Sequence, residues 1–126
     1  MILQTQEGKT LTITFNRPEK KNAITQEGYR LLSQALYSAQ EDDNIHSVLL
    51  LGNEQGYTAG NDIQDFLKGG RLDQEHPTVQ FLHALAKFPK PLIAGVHGPA
   101  IGIGTTLLLH CDFVYASVDA QFQMPF

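Results

Sequence analysis

The chain has 126 residues, 42% hydrophobic and 17% charged, enough for one domain that buries roughly two-thirds of the surface its unfolded form exposes. That balance excludes a disordered chain, and a formal net charge of −4 excludes a general polyanion binder such as a nucleic-acid protein. The single cysteine, Cys111, excludes an internal disulfide framework and fits a reducing compartment.

The opening reads as a hairpin, with strands over Ile2 to Gln6 and Thr10 to Phe15 around the turn residues Glu7-Gly8-Lys9. A polar segment follows, Asn16-Arg17-Pro18-Glu19-Lys20-Lys21-Asn22, in which Pro18 and the asparagines favour irregular backbone. Thr25 is placed to cap a helix, and Tyr29, Leu32, Leu36 and Ala39 recur at helical spacing, with Ile24 and Tyr29 spaced as a hydrophobic staple. Ser47 to Leu51 is a continuous apolar run, expected to be a strand covered on both faces. After the loop Gly52 to Asp62, the segment Lys68-Gly69-Gly70-Arg71 reads as flexible and exposed. Pro77 starts a helix whose buried face is expected at Val79, Leu82, Leu85 and Ala86, and Pro89 and Pro91 end it. Leu92 to Val96 is a second buried strand. Gly98 to Gly104 forms a tight turn into a short apolar helix, Thr105 to Cys111, and Phe113 to Ala116 is a further strand. Strands alternating with helices predict an α/β architecture with parallel pairing.

MILQTQEGKT has no basic region followed by a long apolar stretch, and no run reaches the ~18 apolar residues that span a bilayer. The expectation is a cytoplasmic protein with no membrane partner.

Each buried strand ends in a glycine-bearing loop that leads into a helix, the arrangement by which α/β proteins build ligand crevices. Glycine lets backbone N–H groups face a ligand, and the helix start near Gly102 adds unpaired donors. Two converging loops could hold one negative charge between two amides, and each could equally be a turn that packs helix on strand. Gly102-Ile103-Gly104-Thr105-Thr106-Leu107 lacks the third glycine of a dinucleotide fingerprint, and neither a P-loop nor a G-x-S-x-G elbow occurs. No His, Cys and carboxylate cluster has metal-ligand spacing.

Asn16-Arg17-Pro18 with Lys21-Asn22-Ala23, then Tyr57 to Ile63, Lys90 to Ala94 and Gly98 to Gly104 resemble successive signatures of the crotonase (enoyl-CoA hydratase/isomerase) family. They stand in that family's order over nearly the whole chain. YTAGNDIQDF and GPAIGIGTTLL are most similar to its Δ3,Δ2-enoyl-CoA isomerase branch. The resemblance implies a spiral of repeated ββα units, with residues 1–126 as the N-terminal part of a single crotonase-like domain truncated before the C-terminal helices. It also implies homotrimers or hexamers of the full-length protein, an acyl-CoA substrate and no separate cofactor. The backbone N–H groups of Asn61 and Ile103 would form an oxyanion hole, with Gly60 and Gly102 shaping it. Lys21, Ala23, Ala59, Asp62 and Ile63 would hold the CoA part, with Ile63 near the adenine. Arg17 and Lys20, in the same polar loop, are assigned to solvated surface.

The hydratase branch uses two glutamates, and their positions fall here on Thr106 and Phe126, which cannot do carboxylate acid–base work. The isomerase branch uses one carboxylate further along, expected beyond Phe126. Among the residues present, Asp62 is expected to fix its loop, Asp112 to bond backbone, His97 to hold a turn, and His83 and His110 to be partly buried. Glu54 is expected to be solvated and Cys111 to be a small core residue. None is nominated as the base. The leading expectation is Δ3,Δ2 isomerisation of a fatty acyl-CoA. The alternatives are another crotonase-type hydratase or lyase, or a catalytically incomplete acyl-CoA-binding fragment.

Overall fold

Two strands, β1 (Ile2–Glu7) and β2 (Thr10–Phe15), open the chain as an antiparallel hairpin that runs in register from Ile2 opposite Phe15 to Glu7 opposite Thr10. The computed structural model describes residues 1–125. After a single 3-10 turn at Pro18–Lys20 come α1 (Gln26–Glu41), β3 (Ser47–Leu51), α2 (Ile63–Leu67) and α3 (Pro77–Lys87). β4 (Leu92–Val96), β5 (Pro99–Ile101), α4 (Ile103–Thr106), a second 3-10 turn at Leu107–His110, β6 (Phe113–Ala116) and β7 (Gln121–Gln123) complete the chain. The main sheet has the order β1-β2-β3-β4-β6, parallel from β2 onward, and β5 pairs with β7 in a second, two-stranded parallel sheet. β4 and β6 each add one strand to the main sheet and are followed by a strand of the second, β5 and β7.

The core lies between one face of the main sheet and helices α1 and α3. Ile13, Phe15, Val48, Leu50, Leu92, Ala94 and Val96 alternate along their strands and are buried against Tyr29, Leu32, Leu36, Phe81 and Leu85. Each fully buried aliphatic side chain contributes ~1.5–3 kcal/mol relative to leaving it in water. Thr25 caps α1 as expected, its hydroxyl accepting from Gly28 N at 3.1 Å. The other end of α1 is closed by a residue that helical spacing does not reveal. Lys90 Nζ donates to the carbonyls of Ala39, Asp42 and Ile45 at 2.6, 2.8 and 2.7 Å, placing a cation where the helix dipole is negative.

Several expectations are corrected. β3 is not covered on both faces. Val48 and Leu50 are buried, but Ser47, Leu49 and Leu51 are half-buried, because the burying helices pack on the other side. The buried face of α3 is Thr78, Phe81, Ala84 and Leu85; Val79 and Leu82 are half-buried and Ala86 is exposed. The face lies one residue earlier than expected, since Phe81 rather than Leu82 meets the Tyr29 ring, with centroids 5.4 Å apart. The run Thr105 to Cys111 divides into α4 and the 3-10 turn. His83 and His110 are exposed. Gly69 is packed rather than open, since a β-carbon there would stand 2.8 Å from His76 Nε2. His76 itself caps α3, its Nδ1 accepting from Thr78 N at 3.1 Å.

Candidate functional site

The site begins with Asn22, which is fully buried and adopts φ 61, a left-handed conformation that asparagine tolerates better than most residues. Its Nδ2 donates to Asn53 Oδ1 at 2.7 Å and to the carbonyls of Gly56 and Tyr57 at 3.0 and 3.1 Å. Its Oδ1 accepts from Arg17 N at 2.8 Å, and its carbonyl accepts from the Thr58 hydroxyl at 2.6 Å. His97 joins the same knot through Asn53 O, at 2.7 Å. One asparagine thus fixes the start of the first glycine loop to the polar loop before α1. Helical and strand periodicity give no sign of this, because the partners lie more than 30 residues away.

The first loop then runs alongside the second. Thr58 N donates to Pro99 O at 3.0 Å and Ile101 N donates to Thr58 O at 3.1 Å, so Thr58 pairs in parallel with Ala100. On its other side Ile24 N donates to Gly60 O at 2.7 Å and Asp62 N to Ile24 O at 2.9 Å, pairing Ile24 with Asn61. Asn61 and Ile103 each stand three residues beyond the paired Thr58 and Ala100, and both line one cavity. Gly60 has φ 88, and a β-carbon on it would lie 2.5 Å from Ile101 O. Gly102 has φ 60 and ψ −118, which only glycine adopts readily, and it turns the chain into α4 with Ile103 as the first helical residue. The amides of Asn61 and Ile103 donate to no protein acceptor among the described residues.

Asn61 stands between two cavities. One, of about 230 Å³, is mainly apolar and is lined by Asn61, Phe66, Leu72, Thr78, Val79, Leu82, Ile103 and Thr106. The other is an open groove of about 380 Å³ lined by Arg17, Lys20, Ala23, Ala59, Asn61, Asp62, Ile63 and Gln64. The structure therefore gathers the expected Ala23, Ala59, Asp62 and Ile63 on one groove. Lys21 is not among its lining residues. It adopts φ 52 in the turn, and its carbonyl accepts from Ala59 N at 3.1 Å, which supports the groove through backbone. The two basic residues of the groove are Arg17 and Lys20; Lys20 is exposed as expected, and the assignment of Arg17 to plain solvated surface is corrected. Arg17 Nη1 donates to Asp62 Oδ2 at 2.7 Å and to Ala23 O at 3.2 Å, with only 20% of its side chain exposed.

Asp62 is committed to structure. Its Oδ1 accepts from Asp65 N at 3.0 Å, capping α2, a helix the sequence reading missed. The Asp65 N–H, and after it the Arg17 guanidinium, hold the Asp62 carboxyl below the usual carboxylate range. Asp112 accepts from Leu92 N at 2.8 Å, so it too bonds backbone. Glu54 is exposed. Cys111 is half-buried, and burial, followed by the neighbouring Asp112, pushes its thiol up to about 11, a poor nucleophile. Thr106 lines the apolar cavity beside Ile103, so a hydroxyl occupies the position expected for the first hydratase glutamate. The second such position, Phe126, lies outside the described residues. Among the described residues, those lining the apolar cavity include no carboxylate, and no group of three His, Cys, Asp or Glu could hold a metal ion. None of the described helices is long and apolar enough to cross a membrane.

Residues 5–126 match the enoyl-CoA hydratase/isomerase family. The chain is 44% identical over 131 aligned residues to enoyl-CoA delta isomerase 2 of Rattus norvegicus, covering 99% of this chain and 33% of that protein. It is 39% identical over 131 residues to enoyl-CoA delta isomerase 3, peroxisomal, of Mus musculus, covering 99% of this chain and 41% of that protein. The solved structure of Pseudomonas aeruginosa OdaA superposes with a TM-score of 0.95 at 46% identity, covering 99% of this chain and 51% of that one. The chain thus spans between a third and about half the length of these relatives. The α/β spiral, with its mixed main sheet, is the crotonase fold. Both by sequence and by fold, the chain belongs to the enoyl-CoA hydratase/isomerase (crotonase) family.

Proposed function

We propose that this protein binds a fatty acyl-CoA with its thioester oxygen between the amides of Asn61 and Ile103, and that the whole protein isomerises a Δ3 to a Δ2 double bond. The observation that carries this is the pair of backbone N–H groups without protein acceptors among the described residues, set by two hydrogen-bonded loops at an apolar cavity. Removing a proton next to a thioester carbonyl leaves an enolate whose charge sits on oxygen. Preorganised amides stabilise that charge more than the neutral substrate, so they lower the barrier rather than merely tighten binding. Losing one such donor typically costs ~3 kcal/mol of transition-state stabilisation.

The groove with Arg17 and Lys20 suits the anionic CoA part, and the cavity of about 230 Å³ suits the acyl chain. Lys21, Ala23, Ala59, Gly60, Asp62, Ile63 and Gly102 remain the proposed binding and shaping residues. Isomerisation also needs a carboxylate to carry the proton from C2 to C4. The proposal assigns it to sequence corresponding to the part of the relatives that this chain does not span. Relatives named as isomerases, together with a threonine at position 106, favour isomerisation over two-glutamate hydration. Homotrimeric or hexameric assembly of the full-length protein is part of the same proposal.

The absence of a carboxylate from the cavity lining, among the described residues, favours one second reading, an acyl-CoA-binding unit without turnover. Calorimetry with octanoyl-CoA and turnover of 3-octenoyl-CoA separate the two. Binding with turnover by the full-length protein is expected. Binding without turnover by that protein selects the second reading, and no binding rejects both.

A further inference from the structure

We propose that Tyr29 is a positioning residue, its buried hydroxyl holding the side chain of Asn61 so that the Asn61 backbone amide stays free for a ligand. The inference rests on the acyl-thioester reading above and deepens it.

Tyr29 is 1% exposed and packs its ring on Phe81, yet its hydroxyl donates to Asn61 Oδ1. Asparagine side-chain oxygens readily bond to their own or nearby backbone N–H groups. An Asn61 oxygen folded back in that way would compete for the donors around position 61, which the proposed site needs. The Tyr29 hydroxyl occupies that oxygen instead. Burial raises the phenol well above its ordinary pKa, so it remains an O–H donor across the working pH range.

The backbone on either side of Asn61 is held by Ile24, just before α1. Ile24 bonds Gly60 O and Asp62 N, and Tyr29 N donates to Thr25 O at 3.0 Å in the first turn of α1. The stretch from Ile24 to Tyr29 thus holds residues 60 to 62 at three points, Gly60 and Asp62 through Ile24 and the Asn61 side chain through Tyr29. The Asn61 N–H has no protein partner among the described residues. A phenylalanine would fill the same core space. The hydroxyl is therefore explained by Asn61 rather than by packing.

The test replaces Tyr29→Phe, which keeps the ring and removes only the hydroxyl. Two readouts are taken: the amide proton shift and exchange rate of Asn61 without ligand, and calorimetric affinity for octanoyl-CoA. The Asn61 amide is expected to shift and exchange more slowly, and affinity to fall about fivefold to tenfold, the worth of one hydrogen bond. In an Asn61→Ala background the same Tyr29→Phe change should alter affinity by less than about twofold. A tyrosine with a merely structural role would lower affinity equally in both backgrounds. An unmoved Asn61 amide, unchanged affinity, or equal losses in the two backgrounds overturns the assignment. Wild-type protein that fails to bind octanoyl-CoA overturns the acyl-thioester reading and this assignment with it. Normal wild-type binding with an indifferent Tyr29→Phe variant overturns the assignment alone.

Discussion

A β-carbon placed on Gly60 would lie 2.5 Å from the carbonyl oxygen of Ile101, closer than any real contact of that kind. The two loops that carry the candidate amides therefore touch backbone to backbone, with no room for a side chain between them. Gly102, by contrast, has nothing within 4 Å of its missing β-carbon, so there only the dihedral excludes other residues.

These two glycines should consequently fail differently. Gly102→Ala is expected to cost ~1–3 kcal/mol through backbone strain alone. Gly60→Ala should cost more, because the loops must also part. Urea denaturation measures both, and equal losses would contradict the difference in contact.

Asn22→Ala is expected to be among the most destabilising polar substitutions in the chain, by ~2–4 kcal/mol. It leaves Arg17 N and the carbonyls of Gly56 and Tyr57 without their side-chain partner. Asn22→Asp should also fail, because it keeps an acceptor where two carbonyls need a donor. Thermal unfolding of the two variants is the measurement, and a near-native midpoint for either would refute the role given to the knot.

The Arg17–Asp62 pair should make stability depend on acid. The Asp62 carboxyl titrates below its ordinary value in the folded protein, so its contribution is fully present above the unfolded pKa. That contribution is lost as pH falls through the lower, folded value. Arg17→Met is expected to lose about 1 kcal/mol near neutrality and progressively less in acid. Denaturation of both proteins across that range checks it, and a pH-independent difference would contradict the pairing.

Cys111 should resist alkylation. With its thiol pushed up to about 11 from 9.0, the thiolate fraction near pH 8 is about 100-fold lower than for an unperturbed thiol. Reaction with iodoacetamide should be slow in the folded protein and fast after denaturation. Equal rates in the two states would show that burial does not control this residue.

Much of the fold was legible because it depends on short-range rules. The hairpin at Gly8, the Thr25 cap, the Pro77 helix start and the apolar strands follow from dihedral limits and from periods of two or 3.6 residues. The candidate site was legible only through resemblance of its glycine loops to a family pattern. The loops themselves are equally compatible with plain turns. The missed packing and pairing features involve distant partners, whereas α2 is capped locally by Asp62. α3 was phased by its aliphatic residues, although the aromatic contact of Phe81 with Tyr29 sets its rotation. Arg17 was assigned to solvent because nothing near it in sequence shows Asp62, 45 residues on.

By itself, then, the sequence determined where the backbone must turn, cap and alternate, since those choices are made by neighbours along the chain. Only the tertiary structure decided that Thr58 pairs with Ala100, that Ile24 and Tyr29 hold residues 60 to 62, and that two amides have no protein partners among the described residues. The physical reason is that a hydrogen bond reads position in space. Groups far apart in the chain meet only after the sheet has set its strand order.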